Sequence, residues 1–269
     1  MSGRWVSPDG KVEKIIRKAG KYGLKPTDDA ACVVNITNNA SYSDEYANKS
    51  VVIGDGDTEF ERLLDVCLMM MHTGEQSDVT FHAGGERIEF TLRLVSFEPS
   101  PPIYKWGAGK KYELAMKHKH RGVELYRKDH VAASRRFGKA IKLLSSIPID
   151  VEFLPEKVDG VALSDVHGLK LNLYNNLASC YLRHGSYQQV IELCNDIIVN
   201  DGDNVKALYK LGVAYKAVRS FEDSYESFKK LLRVDPANKA ARERFKEVAL
   251  HVKECNKKSD DIVKKMFQL

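Results

Sequence analysis

LNLYNNLASCYLRHGSYQQVIELCNDIIVNDGDN occupies residues 171–204, and VKALYKLGVAYKAVRSFEDSYESFKKLLRVDPAN follows at once as residues 205–238. The two stretches align without a gap at a period of 34 residues. Leu177, Ala178 and Tyr181 of the first recur as Leu211, Gly212 and Tyr215 of the second. Tyr187, Val190, Cys194 and Ile197 recur as Phe221, Ser224, Phe228 and Leu231. Spacings of three and four residues place each set on one face of a helix. Gly202 and Pro236 close the two units at the same position, since glycine accepts the left-handed cap and proline cannot continue a helix. A pair of ordinary amphipathic hairpins would not need so many matches in one register. The period predicts helix–turn–helix units that bury their apolar faces only by stacking on one another.

The unit resembles the tetratricopeptide repeat, whose stacks form a peptide-binding surface and do no chemistry. A further copy precedes it. Residues 115–144 carry Gly122 at the small position and Ala133, Phe137 and Ala140 on the second helix, with an inter-helix turn one residue short. Residues 147–167, with Pro148, Pro155 and Gly160, predict an extended insertion between hairpins. From residue 239 a last helix is expected, with Phe245, Val248, Val252 and Ile262 as the apolar stripe of a terminal cap. The predicted organisation is a front domain over 1–98, a linker over 99–110 and three repeats (about 115–147, 171–204 and 205–238). A capping helix over 239–269 completes it.

Composition sets limits. The 269 residues suit two modest domains. There is no apolar run long enough for a transmembrane helix, and the opening MSGRWVSPDGKVEK has no apolar signal core. Five scattered cysteines show no metal-ligand spacing, so no cofactor or metal is expected and a reducing compartment, the cytoplasm and also the nucleus, is. Residues 1–100 hold 11 Lys+Arg against 16 Asp+Glu, whereas residues 101–269 hold 31 against 21. The back half therefore suits an acidic partner. Its basic residues alternate with acids along helices and lack interleaved aromatics, which argues against nucleic acid.

The first helices of the repeats carry Lys119, Asn176, Lys206 and Lys210. Lys206 and Lys210 lie one turn apart on one face. Cations and an amide converging there would bind a peptide's terminal carboxylate and an acidic side chain. The alternative is a set of lysines that merely solvate their helices. The constellation resembles the carboxylate clamp of co-chaperones that hold the acidic C-terminus of heat shock protein 90. It departs from the clamp at Val123, where asparagine is usual, and at Lys210, where arginine would form a bidentate fork that lysine cannot.

Residues 10–97 predict an antiparallel sheet packed on one helix, in the order strand, strand, strand, helix, strand, strand, with strands over 31–37, 50–54 and 87–97 and a helix over 59–75 closed by Gly74. VEKIIRKAG (12–20), VVIGDG (51–56), Met71 with Gly74–Glu75, and IEFTLRLVSF (88–97) resemble the FKBP immunophilins. Joined to the repeats, the chain resembles the FKBP–tetratricopeptide co-chaperones over nearly its whole length, in their non-canonical form, the insect Bride of doubletime type. Trp106 falls where such proteins begin their first repeat helix. Family enzymes isomerise prolyl bonds in an aromatic pocket that excludes water. By the resemblance, Leu64, Ile36 and Phe60 stand at pocket positions whose usual residues are gone, and Phe90 alone matches a pocket aromatic. Tyr42 or Tyr46 is available to replace another. The loop after Thr80 has shrunk to HAGGE (82–86), and Glu61 brings a carboxylate that is costly to bury unpaired, so that position is expected to face solvent beside a reshaped pocket.

The remaining motifs are weak. His118 and His120 point to different helix faces. GDGD (54–57) lacks the rest of a calcium loop and reads as a helix cap. GAGK (107–110) lacks a phosphate loop's spacing and reads as a helix lead-in. Met69–Met71 read as core or groove. The expected function is a non-catalytic scaffold or co-chaperone, binding heat shock protein 90 and, as the resemblance implies, a client signalling protein such as a kinase. The alternatives are an isomerase with an altered pocket and an adaptor without a chaperone link.

Overall fold

Alternating burial along β-branched segments builds the front sheet, in a computed structural model that describes residues 3–149 and 155–267, with side chains to 255 and at 257. Its strands are β1 (Arg4–Val6), β2 (Val12–Lys18), β3 (Ala31–Thr37), β4 (Lys49–Val52), β5 (Gln76–Ala83) and β6 (Glu86–Glu98). They pair antiparallel in the order β1-β2-β5-β6-β3-β4. Helix α1 (Glu59–Leu68) lays Phe60, Leu63, Leu64, Cys67 and Leu68 on the sheet, where Cys32, Val34, Ile36, Val79, Phe81, Leu92 and Leu94 meet them. The β5–β6 turn is Gly84–Gly85, both at positive φ, as a two-residue hairpin of this hand requires.

Two expectations need correction. The helix ends at Leu68, not Glu75, and β4 ends at Val52, not Gly54. After Leu68 the chain tightens, with Met70 N–H on the Cys67 carbonyl and Met71 N–H on that of Leu68. Gly74 then turns at φ +79° and Glu75 points inward. Lys14 points inward from β2 to meet it, and both side chains are 2% exposed. Their 2.7 Å ion pair is completed by Lys14 Nζ–H to the Met70 carbonyl, and by donors to Glu75 from His72 N–H and the Ser77 hydroxyl. Burial pushes the Glu75 carboxyl up, but these hydrogen bonds and the Lys14 charge outweigh it and hold it below its ordinary value.

Residues Met1–Trp106 form one compact unit and Gly107–Leu269 another. The second unit is helical: α2 (Ala108–Leu125), α3 (His130–Ser145), α4 (Leu163–His184), α5 (Tyr187–Asn200), α6 (Val205–Ala217), α7 (Phe221–Val234) and α8 (Lys239–Phe267). Each helix packs on the next, and α2, α4, α6 and α8 also pack in succession as an inner layer. The hairpins rest on one pairing. A Cβ on Gly122 would lie 2.5 Å from the Phe137 ring, and one on Gly212 would lie 2.8 Å from Phe228. In the middle hairpin alanine at 178 is matched by the smaller Cys194, both buried in one cluster. The close approach at Gly212 also lets the Ser224 hydroxyl donate to its carbonyl at 2.7 Å.

The caps repeat with the same period. Asn204 and Asn238 accept the N–H of Ala207 and Ala241, and are steadied by Asp201 and Asp235. The first helix begins at Ala108 rather than 115, and α4 at Leu163, eight residues ahead of the repeat. No proline interrupts either extension. Of the predicted insertion, 150–154 lie outside the described residues. Residues 157–162 form the hairpin β7 (Lys157–Val158) and β8 (Val161–Ala162), and 163–167, expected to be extended, are already the start of α4. On α8, Val248 is buried, Phe245 and Val252 pack beside it, and Ile262 lies outside the described side chains.

Gly212→Ala should lower stability by about 1–3 kcal/mol through overpacking against Phe228, read by denaturant unfolding followed by circular dichroism. For the front unit, a depressed carboxyl adds stability that is complete above its unfolded pKa and lost as pH falls through its folded one. Glu75→Gln, which strands Lys14, should cost about 3–5 kcal/mol and flatten this acid-side loss. The only tryptophans, Trp5 and Trp106, both lie in that unit and report its unfolding by fluorescence.

Candidate functional site

The inner layer of the helical unit carries all four groove candidates. Lys119 projects from α2, Asn176 from α4, and Lys206 and Lys210 from α6. Lys119 is half-buried and Lys206 exposed. Among the described residues neither ammonium has a hydrogen-bond or ion-pair partner, and the Asn176 amide makes no hydrogen bond. Val123, one turn from Lys119, is 55% exposed and adds an apolar surface at that end.

Lys210 is held differently. Its ammonium donates to the Lys206 carbonyl and to Asn175 Oδ1, both at 3.2 Å. Burial, with the charge of Lys206, pulls its pKa below the ordinary lysine value. The amide that meets Lys210 is therefore Asn175, which the repeat alignment passed over in favour of its neighbour Asn176. The doubled asparagine at 175–176 was the available signal. Together these groups present hydrogen-bond donors and positive charge.

In the front unit the four remnant-pocket positions are core. Ile36, Leu64, Phe60 and Phe90 are all buried in one cluster. Phe60 stacks on Tyr42 with ring centroids 3.9 Å apart and planes 1° from parallel. Tyr46, Phe81 and Phe90 pack around the same ring at 5.4–5.6 Å. Glu61 is not a buried stray charge. It is the third residue of α1 and closes a capping box, accepting from the N–H groups of Asp57 and Thr58 while Thr58 Oγ1 accepts the Glu61 N–H. The GDGD turn leads into this cap. A shallow cleft of about 160 Å³ between β4 and α1 is lined by Lys49, Asp55, Glu61, Leu64 and Asp65. It is polar and holds no aromatic ring.

Burial pushes the thiols of Cys32 and Cys67 up to about 12 and those of Cys180 and Cys194 up to about 11, so these four are packing residues and not nucleophiles. Among the described residues no group of three or more His, Cys, Asp or Glu is placed to hold a metal, and no helix is long and apolar enough to cross a membrane. Gly107 is the N-cap of α2, where Asp159 accepts the Ala108 N–H at 2.8 Å.

Comparison with known proteins agrees with this architecture. Residues 108–192 match the family described as Bride of doubletime-like, TPR domain. The FK506-binding protein-like protein of Mus musculus is 30% identical over 91% of this chain and 68% of its own length. A solved C-terminal TPR-containing domain of a putative FK506-binding protein from Plasmodium falciparum is 27% identical, with a TM-score of 0.52 over 58% of this chain and 99% of that one. The structure of residues 1-211 of CG17282 has the same fold, with a TM-score of 0.57 over 70% of this chain and 97% of that one, at 24% identity.

Phe60 is the keystone of the aromatic cluster. Phe60→Ala should cost about 3–5 kcal/mol in the tryptophan-reported unfolding of the front unit. A loss below about 1 kcal/mol would show that the rings do not fill this space.

Proposed function

Because this chain belongs to the FK506-binding protein-like family, we propose that it is a non-catalytic scaffold of the co-chaperone kind, whose repeats hold an acidic carboxy-terminal peptide. The observation that carries this reading is the half-buried Lys119, which has no counter-ion among the described residues, on the inner helix layer it shares with Asn176, Lys206 and Lys210. A half-buried cation gains most from an anion supplied by a ligand. The peptide's terminal carboxylate would meet Lys119, Asn176 and Lys206, with Lys210 on a neighbouring acidic side chain. The tail of heat shock protein 90 is the proposed occupant. A signalling protein such as a kinase is the client that the resemblance suggests for the front unit.

The front unit enters this proposal as a domain without isomerase activity. A prolyl isomerase pocket needs an open aromatic cavity for the twisted amide. Phe60 and Tyr42 occupy the middle of the corresponding cluster face to face.

Lys119→Ala and Lys206→Ala should each weaken binding of a short acidic peptide with a free carboxy terminus by about ten- to a hundredfold, the worth of one charge-assisted hydrogen bond. Unchanged affinity in both would remove the clamp and leave the adaptor reading. In a proline-peptide isomerisation assay the native chain should give no turnover. Turnover that Phe90→Ala abolishes would instead establish the isomerase.

A further inference from the structure

We propose that Asn175, outside the four groove positions, is a positioning residue that fixes the Lys210 ammonium for the bound peptide; this rests on the peptide-binding reading of the groove. The argument starts at the helix cap. Asn204 must turn Oδ1 toward α6 to accept the Ala207 N–H at 3.0 Å, while its Nδ2 donates to Asp201 at 2.9 Å. That oxygen is also met by Asn175 Nδ2 at 3.4 Å, and the Leu171 carbonyl is met by the same nitrogen at 3.4 Å. With its nitrogen facing two acceptors, the Asn175 amide has one orientation, and its oxygen faces Lys210. Asn175 is 8% exposed, so water does not readily replace these partners.

The consequence falls on Lys210. A lysine carries three N–H donors on a flexible stem. Two are spent on Asn175 Oδ1 and the Lys206 carbonyl, which leaves one for a ligand and gives it a fixed direction. Burial and the Lys206 charge act against the ammonium, while two of its hydrogens are accepted by the Asn175 and Lys206 oxygens. A chain of hydrogen bonds thus runs from the Asn204 cap through Asn175 to the groove cation. It gives lysine a set orientation that its stem alone does not supply, at the price of a single-point contact.

A double-mutant cycle tests this. The native 269-residue chain, Asn175→Leu, Lys210→Ala and the double variant are titrated with a short synthetic peptide that ends in aspartate with a free carboxylate. Folding is checked by circular dichroism. Asn175→Leu should weaken binding about five- to tenfold, and the double variant should bind no more weakly than Lys210→Ala alone, because Asn175 acts through that lysine. If Asn175→Leu does not fold, Asn175→Ala runs the same cycle. Losses that multiply in the double variant, while Lys206→Ala still weakens binding, would overturn the role of Asn175 and leave the clamp standing. A native chain that does not bind the peptide would overturn both.

Discussion

Wherever a ring lies in the place of a missing side chain, the two helices of a hairpin come close. Phe137 fills the space over Gly122 and Phe228 that over Gly212, while the middle hairpin reaches the same end with Ala178 and Cys194. Interiors are packed too densely for one member of such a pair to change alone. The spacing of the hairpins fixes where α2, α4 and α6 present Lys119, Asn176, Lys206 and Lys210. The caps at Asn204 and Asn238 then set where α6 and α8 start. One of them, through Asn175, reaches a groove lysine directly.

The front unit is organised by a different constraint. Its sheet carries a lysine on an inward position of β2, which is tolerable only because Glu75, Ser77 and the Met70 carbonyl satisfy the charges on both sides. This network pins the exit of α1 to the sheet. In the same unit the rings of Tyr42, Tyr46, Phe60, Phe81 and Phe90 pack on one another.

The repeats were legible because their packing residues recur at a fixed period, and glycine, alanine and phenylalanine report their own surroundings. The antiparallel sheet was legible from alternation. Three features were not. Glu75 looks like a helix-end carboxylate, and nothing local shows that it turns inward to a lysine 61 residues earlier. Glu61 was expected to face solvent, and its capping box with Thr58 is what the structure adds. Asn175 and Asn176 are chemically identical neighbours, and only the path of α4 against α6 tells which one meets Lys210. In each case the deciding partner is distant in sequence or one helical step away, where periodicity carries no information.

The central claim is that the helical unit reads a free carboxy terminus by charge. The most direct measurement is calorimetric titration of the 269-residue chain with one acidic peptide as its free acid and as its carboxamide, at low and high salt. The free acid should bind at least about tenfold more tightly, and that difference should shrink as salt screens the groove. Equal affinity for the two forms would contradict the account.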